Sequence, residues 1–190
     1  STILGTAGAI GIFYSKKKVG APLKAVSQIP IINAEIVTAI SLALLFSFVA
    51  LYRTYFSLIV GHMVLCTPFV ILSVMPKLKQ MDPNVYEAAL DLGASPTTAL
   101  FKVVLPQIFS GILSGFMLSI TLSLDDYIVT AFTKPRTFDT ISTYVYNAVK
   151  NGTNSSTPAL RALSALILVV MIAAVLIVNL RARKGKEANK

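Results

Sequence analysis

Apolar residues in this chain come in long runs broken by short basic or polar segments, and they do not alternate at a period of two. The runs fall at about 1–15, 22–50, 55–77, 106–132 and 158–180. A helix needs about 20 predominantly apolar residues to cross a bilayer, and the four later runs are long enough. The first, Ser1 to Tyr14, stops at Lys16-Lys17-Lys18 and reads as the last part of a truncated span or, alternatively, as a re-entrant or interfacial segment. The second holds Pro30 and Glu35, the third His62 and Pro68, and the fourth ends in a polar patch. The fifth, from Ala159 to Leu180, is the most uniformly apolar. This pattern predicts an all-α fold: one transmembrane domain over residues 1–190, a polytopic helical bundle of about five membrane segments, truncated at its N-terminus.

Composition supports a membrane protein. Hydrophobic residues make up 55% of the chain and charged residues 13%, against about 25% charged in ordinary soluble domains. A net charge of +9 would suggest nucleic acid in a soluble protein. Here the basic residues gather between the spans, which membrane insertion and anionic lipid explain without a nucleic-acid partner. With alternating spans, Lys16, Lys17, Lys18, Lys24, Lys77, Lys79, Lys102 and the basic tail from Arg181 share one side. Only Arg53, Lys134, Arg136, Lys150 and Arg161 lie on the other. The excess marks the first side as cytoplasmic, together with the loop 78–105 and the C-terminus. Cys66 is the sole cysteine and sits in apolar surroundings that favour plain packing.

In the fourth run, Gly111, Gly115, Ser119 and Ser123 recur every four residues, a small-residue stripe that permits close helix contact. Asp125 and Asp126 follow. A carboxylate at the bilayer centre costs about 2.5–3.5 kcal/mol on insertion scales, so such groups face protein or water. Asp126 shares the stripe's face and Asp125 is rotated about 100° from it. If instead the span ends at Leu124, both aspartates are interfacial. Glu35, a third acid in apolar sequence, is either a first-turn acid of a helix after Asn33 or part of the same path. Three acids on the membrane segments of a basic protein suggest a path for a cation. Tyr127, Tyr144 and Tyr146 could offer aromatic faces to it. His62 reads as a packed, satisfied histidine. The sequons at Asn151 and Asn154 read as a polar loop without function.

The most structured polar stretch is Tyr86 to Pro106, YEAALDLGASPTTALFKVVLP. Asp82-Pro83 and Ser95-Pro96 are N-cap and first-turn proline pairs, each predicted to start a short helix. Gly93 lies where a left-handed cap is wanted. Val85, Ala88, Ala89 and Leu92 fall on one helical face, with Glu87 and Asp91 on another. The product is a helix–turn–helix with a small-residue surface, shaped to enter a groove on a partner.

Glu87, Ala88, Ala89, Gly93, Leu105 and Pro106 match the EAA loop of bacterial ABC importer permeases, E-A-A-x3-G-x9-I-x-L-P, with Val103 in place of the isoleucine. AEIVTAISLALLF, LSITLSLDDYIVTAF and ISTYVYNAVKNG extend the likeness, and the chain resembles the second permease subunit of spermidine/putrescine importers. That resemblance implies a type I ABC importer permease fold and a non-enzymatic subunit of the cytoplasmic membrane. It implies that the six EAA-loop residues couple to an ABC ATPase dimer that binds the ATP, this chain holding no cofactor or metal. It also implies a paralogous permease subunit and an extracytoplasmic polyamine-binding protein as partners. Asp125, Asp126, Glu35 and Tyr127 are the expected substrate path. An importer for another small solute, or a cation-coupled secondary transporter using the same acids, would account for the same residues.

Overall fold

The structure is a computed structural model that describes residues 1–82, 84–150, 158–159, 162–170 and 172–173. All regular structure among these residues is helical, as the apolar pattern predicts. The elements are α1 (Thr2–Tyr14), α2 (Lys17–Ile32), α3 (Glu35–Phe48), α4 (Tyr55–Gln80), α5 (Asn84–Asp91), α6 (Pro96–Ala99), α7 (Leu105–Asp125), α8 (Ile128–Thr133) and α9 (Ile141–Lys150). A π-helical turn at Leu100–Val104 joins α6 to α7. Residues 158–159, 162–170 and 172–173 are also helical.

Two helices are long and apolar enough to cross a membrane, α4 and the continuous stretch Pro96–Asp125, or three spans if the pair α2 and α3 is one. The described residues therefore do not reach five segments. The run at 1–15 gives only the 13-residue α1, and much of 158–180 lies outside the described residues. The run at 22–50 is broken, but not at Pro30, which stays inside α2. The break comes at Ala34, whose extended backbone (φ −59°, ψ 133°) starts α3 afresh at Glu35. The run at 106–132 also breaks. Its helix stops at Asp125, because the next carboxylate captures the amides that begin α8.

The chain forms two compact units. The first comprises Ser1–Ile32 and Met63–Ser119. Its core joins Ala9 of α1, then Val70, Ile71, Val74, Met75 and Leu78 along one face of α4, to Val104 and Ile108. The small-residue stripe does what its spacing suggests: Gly111, Gly115 and Ser119 are buried on α7. A Cβ on Gly111 would lie 2.7 Å from Lys77 Cγ and 3.1 Å from the Ser73 carbonyl oxygen. Only a residue without a side chain lets the two backbones come so near. Cys66 is buried in the same unit, its Sγ 3.6 Å from the Ser119 carbonyl oxygen.

The second unit comprises Asn33–His62 and Ile120–Lys190. In it α3 packs on α8. The start of α4 is tied to the end of α8 where the buried Ser57 hydroxyl donates to the Thr133 carbonyl at 2.7 Å. The Ser142 hydroxyl, at the start of α9, donates to the Asp126 carbonyl at 2.6 Å, fixing the α7–α8 break from a third direction.

Candidate coupling surface and carboxylate site

The coupling segment belongs to the first unit and is built almost entirely by local hydrogen bonds. Asp82 Oδ1 accepts from the Asn84 amide at 2.9 Å ahead of α5; Pro83 lies outside the described residues. The Ser95 hydroxyl caps α6 by accepting from the Thr98 amide at 3.2 Å, with Pro96 in the first turn. Between them Gly93 takes φ +85°. The Gly93 amide donates to the Leu90 carbonyl and the Ala94 amide to the Ala89 carbonyl, the paired closure of a Schellman cap. Leu105-Pro106 explains the π turn. Proline has no amide to give to the preceding turn, and the helix passes it by widening, the Leu105 amide reaching back to the Leu100 carbonyl.

The faces of α5 differ from those expected. Val85, Tyr86, Ala89 and Leu90 are half-buried, whereas Glu87, Ala88, Asp91 and Leu92 are exposed. Tyr86 pulls the helix round: it packs against the core of the unit and its ring stands 5.1 Å from that of Tyr14. Ala88 and Leu92 thus lie beside the acids, and Leu92 is 89% exposed. The surface presented outward is a small apolar ridge flanked by two carboxylates. Leu105 is half-buried against the core and Pro106 is exposed.

The acids expected along a substrate path lie in the second unit and fall into two kinds of position. The Asp126 side chain is fully buried. It accepts from the Val129 amide at 3.1 Å, the Thr130 amide at 2.8 Å and the Thr130 hydroxyl at 2.6 Å. It therefore caps α8 as an Asx side chain caps any helix. His62 Nε2 is 3.7 Å from Asp126 Oδ2 and 3.3 Å from Thr130 Oγ1, and His62 Nδ1 is 2.9 Å from the Leu58 carbonyl oxygen. The histidine is satisfied, as its lone position suggested. Glu35, exposed at the start of α3, is close enough to Asp126 for the two carboxylates to interact electrostatically.

Asp125 points elsewhere. It is exposed and lines a cavity of about 560 Å³ with Tyr127 and Tyr146, walled by Leu124, Ile141 and Val145. The two tyrosine rings are 4.0 Å apart at 31°. The fold thus joins Asp125 to Tyr127 and Glu35 to Asp126, while Asp126 faces α8 and not this cavity. Thr130 and Ile141 had no recognisable role in the sequence, because their parts depend on which helices meet. Among the described residues no cluster of His, Cys, Asp and Glu could hold a metal ion.

Comparison with known proteins places the chain in a family. Residues 1–184 match the family described as the binding-protein-dependent transport system inner membrane component. The spermidine/putrescine transport system permease protein PotC of Haemophilus influenzae is 32% identical over 187 residues, 98% of this chain and 72% of that protein. PotC of Escherichia coli K12 is 31% identical over 189 residues, 100% of this chain and 70% of that protein. The putrescine transport system permease protein PotI of the same organism is 34% identical over 145 residues, 73% of this chain and 50% of that protein. With apolar spans, a doubly capped polar helix–turn–helix between them, and a match over nearly its whole length, the chain belongs to the family of binding-protein-dependent transport system inner membrane components.

Proposed function

We propose that this chain is the membrane permease subunit of an ABC importer that carries polyamines, spermidine or putrescine, into the cell. The observation that carries the reading is the likeness to polyamine permeases along nearly the whole chain. Carboxylates near the α7–α8 break suit the substrate. A polyamine's ammonium groups are strongly hydrated point charges, released from water only where fixed anions or aromatic faces replace it. Asp125 with Tyr127 and Tyr146 offers such a place, and Glu35 at the start of α3 adds a third acid to the same unit. The apolar walls suit the methylene chain between amines.

Transport is driven by ATP hydrolysis on a separate ATPase pair. The segment from Glu87 to Pro106 seats its exposed ridge in a groove of that partner, so that closure of the ATPases tilts the spans. Substrate reaches the opposite side on a soluble binding protein and passes between this chain and a second permease. The loop 78–105 and the C-terminus are cytoplasmic. Reconstitution of the complex in proteoliposomes, with uptake measured across polyamines, sugars, sulfate and iron, tests the substrate class. Uptake of polyamine alone, strictly dependent on ATP, is the expected result; uptake driven by an ion gradient without ATP would transfer the acids to a secondary transporter. Single cysteines in a Cys66-free background test orientation, position 134 reacting with an impermeant thiol reagent in intact cells and position 79 remaining protected.

A further inference from the structure

A second, smaller cavity in the second unit has the opposite electrostatic character. Arg53, Lys134 and Arg136 line it with Tyr127, Thr143 and Asn147, in a volume of about 200 Å³, and no acidic side chain is in its wall. Lys134 is partly neutralised, its Nζ lying 2.7 Å from Asp139 Oδ1 and 2.8 Å from the Phe138 carbonyl oxygen. The other two cations make no ion pair among the described residues. Arg136 is exposed.

Arg53 carries two marks of an unfinished site. Its backbone sits at φ 55°, a left-handed conformation that costs a non-glycine residue free energy and collects at functional positions. Its Nε is buried without a hydrogen-bond partner, although a buried donor is ordinarily satisfied. The guanidinium leans over the Tyr52 ring, 5.4 Å from its centre. A planar fork of donors, one of them buried and orphaned, with two further cations beside it, fits a planar anion of carboxylate size.

Position on the chain names the source of that carboxylate. Arg53 lies two residues before α4, and the coupling segment follows the other end of that helix, which is long and apolar enough to cross a membrane. If the coupling segment meets the ATPase, Arg53 faces the side where the binding protein arrives. We propose that this cavity receives an acidic side chain of the soluble binding protein, a docking contact that rests on the importer reading above. Tyr127 lines both this cavity and the larger one holding Asp125. Three cations beside a polyamine's entry oppose it; a docked carboxylate neutralises them, so the path becomes attractive only when the loaded binding protein is seated.

The test is a titration of the intact importer complex in proteoliposomes with substrate-loaded binding protein, reading ATPase stimulation. Arg53→Gln removes the fork and should raise the half-saturating concentration about ten- to hundredfold, as loss of a charge-assisted contact does. Arg136→Glu changes an exposed residue, so the fold is kept, and should raise it about threefold or more, with the loss growing as ionic strength falls. In both variants the plateau at saturating binding protein and the ATPase rate without it stay at wild-type values. Titrations within twofold of wild type for both variants overturn the proposal. So does a pattern in which Arg136→Glu is normal and Arg53→Gln lowers the rate without binding protein, since Arg53 would then be structural only. A wild-type complex that binding protein fails to stimulate would instead count against the importer reading.

Discussion

The coupling segment and the carboxylate site are both polar inserts in apolar sequence, but they are held together over different distances along the chain. In the coupling segment every defining bond is local: Asp82 to Asn84, Ser95 to Thr98, Gly93 to Leu90 and Ala94 to Ala89. In the carboxylate site Asp126 of the α7–α8 break meets His62 of α4, Glu35 of α3 and, through its carbonyl, Ser142 of α9. A locally closed segment keeps its shape while its neighbours move, which suits an element that transmits motion. A site assembled from four helices changes whenever those helices shift, which suits a place where substrate is held in one state and released in another.

The largest effect separating the two regions is expected at Gly93. Nothing lies within 4 Å of where its Cβ would be, so only the backbone conformation resists substitution. Gly93→Val should abolish ATP-coupled uptake with substrate capture by the binding protein intact, because a β-branched residue resists positive φ. Gly93→Asn, which tolerates the left-handed region, should keep most of the activity. If both variants are equally inactive in an uptake assay, the cap is not what matters there.

Next come the adjacent aspartates, which the structure separates by task. Asp126→Asn replaces a buried carboxylate that accepts three hydrogen bonds, and should destabilise the protein by about 1.5–3 kcal/mol, visible as a lower melting temperature in detergent. Asp125→Asn should leave the melting temperature unchanged and cut polyamine uptake about ten- to hundredfold, the worth of one desolvated charge-assisted contact. Equal melting temperatures for the two variants would dissolve the distinction. Glu35→Gln should reduce uptake less than Asp125→Asn, because Glu35 also serves as a first-turn acid of α3.

The smallest effect concerns acid. Hydrogen bonding from Lys134 holds the Asp139 carboxyl below its ordinary range, aided by the lysine charge and a hydrogen bond from Thr143 and opposed by slight burial. A carboxyl lowered in the folded state stabilises it above the unfolded value, about 3.9, and that contribution disappears as pH falls through the lower folded value. Asp139 is exposed, so the contribution is small. Thermal melts from pH 6 to pH 3 should show a slight extra loss at the acid end that Asp139→Asn removes. An identical acid profile for the variant would mean that the pair contributes nothing to stability.

Much of the first region was legible in the sequence because its determinants are neighbours. Serine before proline, aspartate ahead of a helix and glycine at a helix end each specify a backbone geometry within a turn or two. What escaped was the facing of α5. Helical spacing grouped Ala88 and Leu92 with Val85 and Ala89, yet the burial of Tyr86 turns the helix so that Leu92 is outside. Spacing gives the relative angles of side chains on one helix; only packing against another element sets the absolute rotation.

For the rest, the sequence by itself determined that the chain is helical, apolar enough for a membrane, and joined along α7 by a stripe of small residues. It also singled out the acids Glu35, Asp125 and Asp126 within apolar sequence. Between the alternatives the sequence left open for the ends of the apolar runs, the structure chose: the chain turns extended at Ala34, and the Asp126 carboxylate accepts the Val129 and Thr130 amides. It decided that Asp126 is a buried cap and Asp125 a cavity residue, although a single peptide bond separates them. Consecutive residues where a helix ends point in different directions, and hydropathy assigns them the same value. Which of the two faces protein and which faces space is fixed by the helices that arrive around them.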